Sequence, residues 1–151
     1  MVKVVYFCGW GLSQLIQPLF ILLNIKDDME AIDIQSTLKE FHGTTEYHKH
    51  LFPGRPAILI TDGCKYVRDQ LNAYWLFDAI LSYQADLWKQ NIKFQVWELK
   101  RLKLDLTCQL TCREDTGKKP LIKQSIEFSD FPVDYIRIWV IDKVALLPSE
   151  Y

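Results

Sequence analysis

The sequence predicts an α+β fold: an antiparallel β-meander of about four to six strands covered on one face by a long helix, with a short N-terminal helix before it. Three observations carry this expectation. A Pro- and Gly-free stretch between Arg68 and Lys89 repeats its apolar positions at helical spacing. The second half of the chain then switches to a period of two. Finally, 151 residues with 49% hydrophobic and 13% aromatic side chains are enough to bury a core without metal or disulfide staples.

Residues 1–28 stand apart from this pattern. Val4 to Ile25 is almost wholly apolar and close to the length of a membrane span, with Lys3 before it and Lys26-Asp27-Asp28 after it. Gly9, Gly11, Ser13, Gln14, Gln17 and Pro18 interrupt it, and no small-residue cleavage pattern follows. The segment is open to three readings: an extension upstream of a natural start at Met29, a membrane anchor or signal over residues 4–25, or an element packed on the domain. Residues 29–151 are expected to form a single globular domain.

Within that domain, Ile34, Leu38 and Phe41 fall at helical spacing, with Asp33 as N-cap and Gly43 just past the end. His42 to Pro56, with two prolines and two glycines, reads as loop with extended pieces. Ala57 to Thr61 is a β-branched apolar run, and Asp62-Gly63 is the favoured dipeptide of a type I′ turn, so a hairpin into Cys64–Val67 is expected. From about Arg68 to Lys89 the main helix presents Ala73, Leu76, Phe77, Ile80, Gln84 and Leu87 on one face.

Phe94 to Leu99 is aromatic and β-branched, the composition of a strand. Leu102, Leu104, Leu106, Cys108, Leu110 and Cys112 then alternate with polar residues, which predicts a continuous strand with one dry face and one wet face. Glu114 to Gly117 is a turn, Ile122 to Phe128 alternates again, and Pro132 breaks the chain before strands at Tyr135–Ile141 and Val144–Leu147. The apolar tail Leu146–Tyr151 is expected to dock on its own sheet, since burying it removes more apolar surface from water than leaving it free for a partner to capture.

Charge and cysteine content narrow the function classes. A formal charge of −1 gives no basic excess to drive binding to nucleic acid or anionic lipid. Lys100-Arg101-x-Lys103 could contact phosphate and Trp75, Trp88, Trp97 and Trp139 could stack on bases, but a solvated hairpin end and core positions are the simpler assignments. Cys8, Cys64, Cys108 and Cys112 lack zinc-finger spacing. Cys108 and Cys112 lie about 13 Å apart along a strand, beyond the roughly 7 Å a disulfide spans. All four are read as reduced thiols in the cytoplasm, the alternative localisation being a membrane anchored through residues 4–25.

Seven short motifs occur in order: Phe41-x-Gly43-Thr44 with Tyr47 and His50, Thr61-Asp62-Gly63-x-x-Tyr66, Ala73-Tyr74-Trp75-Leu76-x-Asp78, Phe94-Gln95-x-Trp97, Leu106-Thr107-Cys108, Asp130-Phe131-Pro132 and Leu147-Pro148-Ser149-Glu150-Tyr151. On these the chain resembles a small uncharacterised bacterial family, a domain of unknown function common in cyanobacteria and on mobile elements. The resemblance runs from Phe41 to Tyr151 and brings no activity, catalytic residue or ligand with it. It implies a start near Met29, because similar proteins begin shortly before the Phe-x-Gly-Thr motif.

Glu46, His48 and His50 alternate, so in an extended segment they point to one side, where two imidazoles and a carboxylate suit zinc or iron and Asp62 could add an oxygen. A polar loop with solvated histidines is the competing assignment. Asp78, the charge in the apolar middle of the long helix, is with Asp62 a candidate acid or base, although such carboxylates more often lock a helix to its neighbours. Cys64 is either an exposed thiol or a small packing residue. No phosphate-binding glycine loop, nucleophile elbow or His-Glu-x-x-His is present. The expected function is therefore a non-enzymatic accessory or regulatory domain that binds a macromolecule, most simply a protein, and uses no cofactor. The alternatives are a metal-dependent enzyme built on Glu46, His48, His50 and Asp62, and a membrane-anchored protein.

Overall fold

A computed structural model describes residues 30–102 and 106–151, so the three readings of residues 1–28 lie outside the described residues. Among the described residues no helix is long and apolar enough to cross a membrane. Helix α1 covers residues 30–40 and buries Leu38 in the core. Its Gln35 side chain donates to the backbone oxygen of Tyr135, and its Leu38 carbonyl accepts from the Ser149 hydroxyl. Gly43, at φ 74°, then turns the chain into strand β1, His48–His50.

β1 pairs antiparallel with β2, Ile58–Ile60, through the 51–57 connection. The hairpin expected at Asp62-Gly63 does not form. Those residues open helix α2, Asp62–Gln70, with Thr61 in extended conformation as its N-cap. A two-residue turn with positive φ at both positions occurs instead at Asp142 and Lys143, φ 45° and 74°, in the geometry of a type I′ hairpin.

The single helix expected from Arg68 to Lys89 is two helices. Asn72, at φ 52°, stops α2, and the Ala73 N–H bonds back to the Arg68 carbonyl at 3.0 Å, a Schellman closure. Helix α3 runs Tyr74–Lys89 and ends the same way, with Asn91 at φ 59° and the Ile92 N–H on the Leu87 carbonyl at 3.0 Å. Asparagine tolerates this left-handed conformation better than most residues, so both stops carry a local signal. The face α3 buries is the expected one, Leu76, Phe77, Ile80, Gln84 and Leu87, widened by Leu81.

The remaining strands are β3 Phe94–Arg101, β4 Cys108–Arg113, β5 Ile122–Ile126, β6 Tyr135–Ile141 and β7 Val144–Leu146, followed by a short 3-10 turn, Pro148–Glu150. They join β1 and β2 in one seven-stranded sheet of order β1-β2-β7-β6-β3-β4-β5. Every pairing is antiparallel except β2 with β7. The α+β class is as expected, but the sheet is larger than a meander of four to six strands and is mixed. The extra strands come from the His48–His50 segment, whose lack of period hid it, and from the way residues 144–146 join the two hairpins.

The alternation from Leu102 to Cys112 is likewise only partly a strand. Arg101 pairs with Cys108, the Leu102 N–H bonds to the Thr107 carbonyl at 2.9 Å, and Leu106 takes φ 61°. Leu102, Leu106 and Thr107 therefore lie outside both strands, Leu102 and Leu106 are exposed, and Leu104 lies outside the described residues. A period of two constrains side-chain polarity but not where a chain reverses. Phe128, expected at the end of β5, lies outside it and is 70% exposed.

The sheet has two unlike faces. Gln95, Trp97 and Leu99 of β3, Leu110 of β4 and Ile138 and Val140 of β6 point toward α3, and Tyr83 of α3 packs its ring on Trp97 and donates to Gln124 of β5. This inner face holds the core. The Gln84 and Gln95 amides exchange hydrogen bonds of 2.9 and 3.0 Å inside it, and Gln95 also accepts from the Trp97 indole N–H at 2.8 Å. Buried amides are stable only when paired in this way.

Candidate functional site

Thr61-Asp62-Gly63 lies where α2 begins, and each residue serves a different partner. The Asp62 carboxylate accepts from His48 Nε2 at 2.8 Å and from the backbone N–H and hydroxyl of Thr45 at 2.8 and 2.7 Å. Its own N–H donates to the Thr44 hydroxyl at 3.0 Å. The His48 contact first, and then the Thr45 hydroxyl and N–H, hold the Asp62 carboxyl well below the usual carboxylate range. Tyr66, at the end of the same motif, packs its ring on Phe41 at 5.5 Å.

One residue further along, the Gly63 N–H donates to Glu150 Oε1 at 2.9 Å. Glu150 Oε2 takes the Thr61 hydroxyl at 2.5 Å and the Leu147 N–H at 2.9 Å. A side-chain carbon at position 63 would sit 2.7 Å from Leu147 Cδ1 and 2.8 Å from Glu150 Oε2, so any larger residue forces these side chains to move. The carboxylate satisfies an orphan donor of the first helical turn and faces the positive end of the helix dipole. The tail thus docks on its own domain as expected, through Leu147 and Glu150, while Tyr151 stays 85% exposed.

The two candidate carboxylates meet the same strand. Asp78 of α3 accepts from His50 Nε2 at 2.8 Å, and His50 is buried against the ring of Phe77 at 5.8 Å. His48 and His50 do point to one side of an extended segment, but each ring is committed to its own carboxylate. Glu46 is exposed, and among the described residues no group of three or more His, Cys, Asp or Glu could hold a metal ion. The arrangement of Glu46, His48, His50 and Asp62 can tie β1 to α2 and α3; it does not converge on a point.

The described cysteines are equally unreactive. Cys64, Cys108 and Cys112 are free and buried. Burial, and then the Glu150 carboxylate, pushes the Cys64 thiol far up, and burial pushes Cys112 up to about 12.

Apart from Lys100, sequence reasoning missed the outer face. Register places Lys49, Lys100, Arg113, Lys123 and Arg137 outward along the strands, with Glu98 the single outward strand carboxylate among the described residues. Glu98 Oε1 accepts from the Tyr135 hydroxyl at 2.6 Å and from Arg137 Nε and Nη2 at 3.1 and 2.8 Å, and Oε2 accepts from Arg113 Nη1. Burial raises the Glu98 carboxyl, but Tyr135, Arg137 and Arg113 outweigh it and hold the group below its ordinary value. Beyond Val96, Trp139 lies between Phe94 and Tyr151, both at 5.5 Å between ring centres. The signal that could have found this face is the spacing of Val96, Glu98 and Lys100, all opposite in parity to the core residues Trp97 and Leu99.

No curated protein and no solved structure matches the chain. A family model described as a family of unknown function (DUF6876) matches residues 32–151. That span contains every residue of both carboxylate knots and of the outer face, and the chain belongs to this family.

Proposed function

We propose that this domain is a non-enzymatic module that binds a partner protein through the outer face of its sheet. The observation that supports it is the segregation of charge: five outward basic residues against one outward carboxylate, in a chain whose formal charge is −1. Opposed potentials steer and orient a partner more than they add raw affinity. An enzyme built on Glu46, His48, His50 and Asp62 draws no support from the geometry, since both imidazoles already hold separate carboxylates.

Affinity purification from the native cell tests this, comparing the wild-type chain, a Lys100→Glu/Lys123→Glu variant of the outer face, and a Lys89→Glu variant on α3. A protein retained by the wild type and by Lys89→Glu, but lost from the double variant, is the expected result. A partner held equally by all three, or RNA in place of protein, would overturn it.

A further inference from the structure

Resting on that reading of the outer face, we infer that the groove between residues 116–120 and the row Arg113, Glu98, Arg137 receives carboxylates of an acidic peptide segment in the partner protein. Val96, Glu98, Arg113, Lys118, Lys119 and Arg137 line this groove. Of the nine residues that line it, four are cationic and Glu98 alone is anionic. Lys118 is shared with Glu114 at 3.0 Å, while Lys119 has no ion-pair partner among the described residues.

Glu98 makes the site ready for a second carboxylate. Bonded to both guanidinium groups and to the Tyr135 hydroxyl, it holds the arginines side by side and neutralises only one of their two charges. The ordering entropy of two long side chains is then spent before a ligand arrives, which is the chief cost of a surface ion pair. A guanidinium also offers paired donors that match the planar fork of a carboxylate.

The aromatic end of the face argues for peptide over single-stranded nucleic acid. Phe94 meets Trp139 at 63° and Tyr151 meets it at 72°, so the rings pack edge to face and only Tyr151 is largely exposed, one open ring where successive stacked bases need several. An acidic segment with an apolar residue beside its carboxylates would seat both halves, the charges in the groove and the apolar side chain near Val96 and Trp139.

The test is a titration of the full ¹⁵N-labelled chain with a tetraglutamate peptide and, separately, with a thymidine pentanucleotide of matching charge. Expected are saturable shifts confined to residues 113, 116–119 and 137, weakened by salt. Lys118→Glu/Lys119→Glu, two exposed loop changes outside every strand, should weaken the peptide roughly tenfold, about 1.4 kcal/mol, while Lys89→Glu changes nothing. Any one of three results would overturn the site: tighter binding of the pentanucleotide, shifts spread to Lys49 and Lys89, or no saturable shift up to roughly 10 mM peptide, the weak end of measurable affinity. If the Lys100→Glu/Lys123→Glu variant loses its cellular partner while tetraglutamate leaves the groove unmoved, the binding face stands and the carboxylate groove falls.

Discussion

Glu150 and Glu98 do similar chemistry in opposite surroundings. Glu150 is buried among Thr61, Gly63 and Leu147, three neutral donors that satisfy both of its oxygens. Glu98 lies on a solvent-facing sheet and binds two cations, so its cluster retains positive charge after every bond is counted. A carboxylate closed in by neutral donors is architecture. A carboxylate that gathers a surplus of cations at an open surface leaves a site.

The largest effect should come from breaking the closed knot. Glu150→Ala removes one acceptor from three donors and strands buried N–H and O–H groups, so urea unfolding should show a loss of about 3 kcal/mol or more. A loss below about 1 kcal/mol would mean water substitutes for the carboxylate. Gly63→Ala should cost about 1–3 kcal/mol through overpacking. Its cost should shrink in the Glu150→Ala background, where the obstructing oxygen is gone, and simple additivity of the two would contradict the shared contact.

A pH series probes the other carboxylate at the start of α2. Because Asp62 titrates lower in the folded chain than in the unfolded one, its contribution is complete above an unfolded value near pH 4 and is lost as the pH falls toward the folded value. Urea midpoints of the wild type should therefore drop below about pH 4. His48→Ala removes the largest cause of the shift and should flatten that drop. An unchanged acid profile in the variant would show that Thr45, not His48, sets the shift.

The smallest effect on stability belongs to the open face. Glu98→Gln should cost about 1 kcal/mol, since these half-buried pairs still face solvent and the amide oxygen still accepts from its donors. A variant that unfolds would place Glu98 with the architecture, alongside Glu150.

Much of the fold was legible because it is written in local periods. The buried stripe of α3, β3 and β6 follows from spacing alone, as does the common side of His48 and His50. The failures share a cause, which is that the deciding contact is remote. Asp62-Gly63 has the composition of a hairpin turn, yet Gly63 is required by a carboxylate 87 residues away, which no local window contains. The true two-residue turn, Asp142-Lys143, carries no glycine and is made by the pairing of Ile141 with Val144. Leu102 and Leu106 keep the alternation of a strand although both lie outside β3 and β4. At the candidate site, the motif residues proved to be ties between elements, and the charged outer face was hidden because its residues alternate with the core and belong to five separate strands.

The parallel pairing of β2 with β7 also fixes an order of events in folding. β1, β2 and the start of α2 cannot complete their hydrogen bonds until residues 144–150 arrive, because Leu59 pairs with Val144 and Thr61 bonds to Glu150, 89 residues further on. Contacts closed over loops of that length are slow to form. The β3–β4–β5 and β6–β7 pairings rest on local contacts, whereas the N-terminal hairpin reaches the sheet only through the long-range pairing with β7. Until it does, β7 presents an unpaired edge, and for that interval the nascent domain is open to strand exchange with another copy of itself.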